Sequence, residues 1–193
     1  MRDRRGEERA RIARSYVVAL TRTLALQAAL GGPYIVTNGM DIRQILEILP
    51  HRFPLLLIDR ILELEPMVRA RGYKNVTYNE PVFTGHFPSN PLLPGVYMLE
   101  AMAQLGGCVV MEPGEFARKT PYLAGIDHAK FRRPVIPGDR LMMEVRLTRH
   151  RRNIGWVEAE ASVDGEYVCS AELMFSIAPD PRVYGAEASV LTA

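Results

Sequence analysis

Pro94-Gly95-Val96-Tyr97-Met98-Leu99-Glu100-Ala101-Met102-Ala103-Gln104 opens an apolar run that continues to Met111. Its residues cover nearly the whole circumference of a helical wheel, the pattern of a helix buried on all sides. The spacing predicts one long helix over Val96–Met111, with Pro94 suited to the first helical position, where a missing N–H costs nothing. Short apolar segments bounded by turn residues surround it and read as strands: Leu55–Leu64, Val68–Tyr78, Tyr122–Ile126, Leu141–Arg149, Ile154–Val163 and Tyr167–Ile177. Asp164-Gly165 predicts a hairpin turn before the last of these, in which Ala171, Leu173, Phe175 and Ile177 alternate onto one face. Behind Asp41, a suitable N-cap, Ile42, Ile45, Leu46 and Leu49 repeat at helical spacing and predict a short helix ending at Pro50. Pro81 to Pro94 reads as a loop. One helix among five or six strands implies an α+β domain in which an antiparallel sheet wraps a central helix.

The same stretch holds the chemistry. Between Glu80 and Glu112 there is one carboxylate, Glu100, and no lysine or arginine. A carboxylate within so apolar a helix calls for a partner or a task, and burial would raise its pKa. Gln104, four residues on, shares its face and is placed to hydrogen-bond it. The free N–H groups of Gly95 and Val96 point out of the helix start, where they suit a carbonyl oxygen that becomes negative. His86, fourteen residues before Glu100 and across several prolines, can meet it only through tertiary folding or across a subunit interface. Such a pair can perform acid–base work; a backbone-bonded Glu and a merely packed His are the alternative. Met98, Leu99, Met102 and Leu105 either line a tunnel or pack as core.

Composition bounds the rest. The chain has 193 residues, 48% hydrophobic and 24% charged, which fits one globular domain. No stretch approaches the ~20 apolar residues of a membrane span. Cys108 and Cys169 cannot form a disulfide framework and fit a reducing compartment. Neither they nor His51, His86, His128 and His150 show zinc-ligand spacing. No phosphate-binding glycine loop and no Gly-x-Ser-x-Gly elbow occurs. The formal charge of +2 is unevenly spread. Residues 1–39 hold seven arginines against three acids, a net of +4, while the remaining 154 residues hold 17 basic and 19 acidic groups, a net of −2. The basic arm reads as a marginal helix tethered by Gly31-Gly32-Pro33, or as sequence ahead of a true start at Met40; signal and transit peptides fit poorly, because Arg22 interrupts the apolar stretch and acids lie upstream. Residues 178–193 read as a tail, leaving 40–177 as the folded unit. Lys130, Arg132 and Arg133 form a basic cluster, to be read as a docking patch or a solvated strand end. Arg149 to Arg152 form a second run, without an aromatic platform for nucleic acid.

The run Gly85-His86-Phe87-Pro88-Ser89-Asn90-Pro91-Leu92-Leu93-Pro94-Gly95-Val96, followed by Glu100-Ala101-Met102-Ala103-Gln104, resembles the signature of FabZ-type 3-hydroxyacyl-[acyl-carrier-protein] dehydratases. Leu49-Pro50-His51-Arg52-Phe53-Pro54 with Leu57-Ile58-Asp59-Arg60, and Ala124-Gly125-Ile126-Asp127 with Phe131-Arg132-Arg133-Pro134-Val135, resemble the family in the same order. The resemblance implies a hot-dog fold and dehydration of (3R)-3-hydroxyacyl chains, carried on acyl carrier protein, to trans-2-enoyl chains in fatty acid elongation. It implies no metal and no organic cofactor, a cytoplasmic homodimer or trimer of dimers, no nucleic acid and no stable membrane insertion. By resemblance His86 takes the C2 proton and Glu100 of the other subunit assists departure of the C3 hydroxyl. Gly95 would polarise the thioester carbonyl, the Val96 backbone would orient His86, and Gln104 would orient Glu100. Tyr97, Met98, Met102 and Tyr122 would line or gate the acyl tunnel, and Lys130, Arg132 and Arg133 would dock the acidic carrier. Tyr97 departs from the family's usual Leu or Ile, which bears on chain length. Supply of membrane fatty acid, of lipid A precursor, or of both fits the resemblance. A hot-dog thioesterase, which would release free thiol, and a non-catalytic acyl-binding module, which would form no enoyl product, are the competing readings.

Overall fold

The computed structural model describes residues 39–110 and 119–179. The expectations for residues 1–38, for Met111 and for the tail beyond 179 lie outside these. Helix α1 spans Ile42–Ile48 and starts where the sequence places its cap. Asp41 accepts from the N–H groups of Arg43 and Gln44, and the Gln44 side chain accepts from the Asp41 N–H, a complete capping box. Strands β1 (Arg60–Glu65) and β2 (Arg69–Asn75) follow. A 3-10 turn at Pro81–Thr84 then leads through the His86 loop to the long helix α2 (Gly95–Val110). Strands β3 (Lys119–Phe131), β4 (Arg140–Arg151), β5 (Ile154–Val163) and β6 (Glu166–Pro179) complete one antiparallel sheet in the order β1-β2-β4-β5-β6-β3.

The helix touches all six strands, so the sheet encloses it as the hydrophobic pattern demands. Every α2 residue from Ala101 to Val110 is buried. Against it pack Leu141, Met143 and Val145 of β4, Val157, Ala159 and Ala161 of β5, and Ala171, Leu173 and Phe175 of β6. A Cβ on Gly72 of β2 would stand 2.7 Å from the Arg60 carbonyl and 3.3 Å from Leu105, so glycine lets β1, β2 and the helix approach. Asp164 and Gly165 both have positive φ (51° and 82°), the twist of a two-residue hairpin turn joining β5 to β6.

Three elements differ from the sequence expectation. Leu55–Leu64 was expected to be strand throughout, yet β1 begins only at Arg60. The Leu55 carbonyl and the Leu57 N–H bond the Gln104 side chain rather than a neighbouring strand, and a turn on the Arg52 carbonyl captures the N–H groups of Leu55 and Leu56. Strand β3 runs 13 residues instead of stopping at Ile126. Its polar second half stays paired with β6 by bulging between Asp127 and Lys130, where His128 takes φ 53°. Pro94 precedes α2 rather than beginning it, its carbonyl accepting the Tyr97 N–H at 2.9 Å.

Candidate active site

His86 sits at the start of a loop closed on itself. Its N–H donates to the Val82 carbonyl, and its own carbonyl accepts the Leu92 N–H, both at 3.0 Å. The ring returns the favour: Nδ1 lies 3.0 Å from the Leu92 carbonyl oxygen. A carbonyl can only accept, so the hydrogen is on Nδ1 and the Nε2 lone pair is left free. The Phe87 ring stacks on the imidazole at 4.1 Å. Upstream, the half-buried Glu80 accepts from the Thr77 N–H and pairs with buried Lys74 at 3.1 Å, anchoring the approach to this loop. The ring is thus held by Leu92, not by the Val96 backbone that the sequence reading assigned to it.

Glu100 is held from two sides. Gln104 Nε2 donates to its Oε1 at 2.9 Å, the contact expected from i, i+4 spacing. Gln104 is 2% exposed, and its remaining polar atoms bond Leu55 O at 2.6 Å and Leu57 N at 2.9 Å, so its amide is saturated and cannot turn. The second contact is His51, whose Nε2 lies 3.5 Å from the same Oε1. Sequence reasoning gave His51 no role. Its segment stands out only as part of a family pattern, and no periodicity links position 51 to position 100. Burial lowers the His51 pKa; nearby Glu100 pulls the other way and Arg52 adds to the lowering.

The expected full burial of Glu100 is not found: its side chain is 26% exposed. One turn earlier Val96 is 66% exposed, so the first turns of α2 present an open face in the single chain. The N–H groups of Gly95 and Val96 lie ahead of the first bond of the helix and have no acceptor among the described residues. The Phe131 ring covers Gly95 so closely that a Cβ there would stand 2.8 Å from it.

The structure does not gather all the expected site residues. Among the described residues no hydrogen bond or ion pair joins His86 to Glu100. Met98 and Met102 are 3% and 0% exposed and belong to the core, with Tyr97 packed against it. Tyr122 is exposed on edge strand β3. Lys130 shares an outer groove with His128, Glu158, Glu160 and Glu172, and Arg133 lies 3.5 Å from Glu166, whereas Arg132 makes no ion pair among the described residues. Among the described residues no cluster of three or more His, Cys, Asp or Glu is placed to hold a metal ion.

An antiparallel sheet around one central helix, with a histidine loop leading into the helix start, defines a hot-dog domain. The chain belongs to the FabA-like family, whose domain model matches residues 49–172. It is 54% identical over 137 residues to the 3-hydroxyacyl-[acyl-carrier-protein] dehydratase FabZ of Caldicellulosiruptor bescii, covering 71% of this chain and 98% of that one. To the FabZ of the same description from Roseiflexus castenholzii it is 52% identical over 138 residues, covering 72% and 96%. Among solved structures, a chain of the dehydratase heterocomplex ApeI:P from Xenorhabdus doucetiae superposes with a TM-score of 0.58 at 18% identity, over 72% of this chain and 92% of that one. Cj0977, a sigma28-regulated virulence protein from Campylobacter jejuni, superposes with a TM-score of 0.55 at 14% identity, over 70% and 89%. These two likenesses establish the fold alone.

Proposed function

We propose that this chain dehydrates 3-hydroxyacyl chains carried on acyl carrier protein to 2-enoyl chains, with His86 as base and Glu100 as acid. The observation that carries the reading is the pair of fixed groups: an imidazole with its Nε2 lone pair free, and a carboxyl anchored through one oxygen. The C2 proton of a thioester is only weakly acidic, and hydroxide is a poor leaving group. Removal of that proton by His86 Nε2, protonation of the departing oxygen by Glu100, and donation from the Gly95 and Val96 N–H groups to the thioester oxygen lower the same barrier together. The relatives at 52–54% identity carry the same activity in their names.

The two groups meet, in this reading, between two copies of the chain. Edge strand β3 exposes Tyr122, Leu123, Ile126 and Phe131, and the open turn of α2 exposes Val96; a second copy would cover these surfaces and bring its own His86 toward Glu100. The acyl chain would enter along that seam, with Tyr122 at its edge. Buried Met98 and Met102 would yield to it only by rearranging, which flexible thioethers permit. Arg132 and Arg133, near the Phe131 that covers Gly95, would receive the acidic carrier. We place the protein in the cytoplasm, supported by two buried, free cysteines. Among the described residues no helix is long and apolar enough to cross a membrane.

The test is conversion of a 3-hydroxyacyl-carrier to the enoyl product, followed by absorbance and product mass. Wild type should form the enoyl chain, and His86→Ala or Glu100→Gln should each lose at least about a hundredfold in kcat, as expected for a general acid or base. Release of free thiol in place of enoyl product would instead assign a thioesterase. No product from wild type would leave an acyl-binding module.

A further inference from the structure

The two oxygens of Glu100 are not equivalent. Oε1 receives the Gln104 hydrogen bond, and His51 Nε2 faces the same atom. Because Gln104 Oε1 is occupied by the Leu57 N–H, the amide can face Glu100 only with its nitrogen. The proton on His51 can be placed by the same reasoning. Its Nδ1 is buried without a partner among the described residues. A hydrogen there would be an unsatisfied buried donor, which costs more than a bare lone pair. The hydrogen therefore belongs on Nε2, the nitrogen 3.5 Å from the carboxyl. Burial, which lowers the pKa of the ring, keeps it a neutral donor. The charged groups facing it are Glu100 from α2 and Arg52 from its own segment. The Arg52 guanidinium turns back onto the carbonyls of Leu46, Leu49 and His51, at 3.0, 2.8 and 2.7 Å, and so holds the His51 backbone in place.

We propose that His51 is a positioning residue: with Gln104 it binds Glu100 Oε1, and thereby makes Oε2 the oxygen that delivers the proton to the substrate. This rests on the reading of Glu100 as the acid. With the Gln104 N–H bonded to Oε1 and His51 Nε2 3.5 Å from the same atom, Oε1 has no room for a hydrogen, so the acid form is protonated at Oε2. In the reaction the Oε2 proton passes to the C3 hydroxyl and the C3–O bond breaks, its electron pair leaving with water. The C2–H pair becomes the C2=C3 double bond, and the C2 proton goes to His86 Nε2. Glu100 is left as a carboxylate and His86 protonated, and exchange with solvent restores both. The His51 contact, long at 3.5 Å, is of the kind that shortens once substrate is bound.

Full-length His51→Leu and His51→Gln variants test this beside Glu100→Gln, by steady-state dehydration across pH and by thermal unfolding. His51→Leu should lower kcat about ten- to a hundredfold with KM within about twofold, the loss expected when an orienting partner is removed. The alkaline limb of its kcat profile should move to higher pH, because a donor to the carboxylate is gone. His51→Gln, which can present an amide N–H to Oε1, should recover most of the kcat. The proposal is overturned if His51→Leu keeps wild-type kcat, or if both variants lose activity alike with the limb unmoved. Should His51→Leu not fold, His51→Gln decides alone: kcat within about threefold of wild type and an unmoved limb support the proposal, and a tenfold or larger loss overturns it. Retained activity in Glu100→Gln would overturn the acid reading itself. An inactive Glu100→Gln beside an intact His51→Leu would remove the role of His51 alone.

Discussion

Gln104 joins folding to chemistry in one side chain. It terminates the backbone of the Leu55–Leu57 segment and orients Glu100, using both amide hydrogens and its oxygen. Gln104→Leu would preserve bulk while stranding the buried Leu57 N–H, at roughly 1–3 kcal/mol, whereas water can reach the part-buried carbonyl of exposed Leu55. Denaturant unfolding should therefore show a loss of about 1–3 kcal/mol, while kcat falls and KM changes little in the fraction that folds. Wild-type stability in this variant would contradict the assignment of those bonds. The i, i+4 relation of Glu100 and Gln104 was legible in the sequence because helical geometry alone dictates it. The bonds from Gln104 to residues 55 and 57, and the contact of Glu100 with His51, were not legible. They span some fifty positions and exist only because the sheet returns the chain to the helix.

At the scale of elements, the start of α2 and the end of β3 meet where Phe131 lies over Gly95. A methyl at position 95 would stand 2.8 Å from the ring, so Gly95→Ala must displace Phe131 and with it the cover over the helix N-terminus. We expect Gly95→Ala to lower kcat by at least tenfold with little change in unfolding temperature, and Gly95→Ala/Phe131→Ala to recover part of it, since a side chain rather than backbone blocks the site. No recovery in the double variant would show that the ring is not the obstacle. The elements themselves read well from sequence wherever one force decided them. The all-apolar helix, the Asp41 cap and the Asp164-Gly165 turn are local matters of burial, capping and positive φ. Residues 55–59 misled because apolar character favours a strand while a side chain from elsewhere takes the hydrogen bonds. The second half of β3 misled for the opposite reason: Asp127-His128-Ala129-Lys130 lacks the apolar content of a strand, and only pairing with β6 across a bulge keeps it extended.

For the whole molecule, one chain fixes the His86 imidazole and anchors the Glu100 carboxyl with no hydrogen bond between them among the described residues, and it leaves apolar surface open at an edge strand and along the first turns of its helix. The basic cluster beside this surface is smaller than the sequence suggested. Lys130 lines an outer groove with Glu158, Glu160 and Glu172, and Arg133 lies 3.5 Å from Glu166, so in the proposed function the acidic carrier would be met mainly by Arg132 with a share from Arg133. Arg132→Glu/Arg133→Glu should raise KM for the carrier-bound substrate while leaving KM for a small thioester unchanged, and the effect should fade as salt is added. An unchanged KM for the carrier would remove the patch. The shared site is tested most directly by combining two inactive chains. His86→Ala and Glu100→Gln chains, mixed under conditions that let subunits exchange, form hybrids in which one site has both residues intact and the other neither. Random reassortment of symmetric pairs should then restore about a quarter of wild-type dehydratase activity. A mixture that exchanges subunits and stays as inactive as its components would place both residues of each site in one chain, and would contradict a catalytic centre built from two.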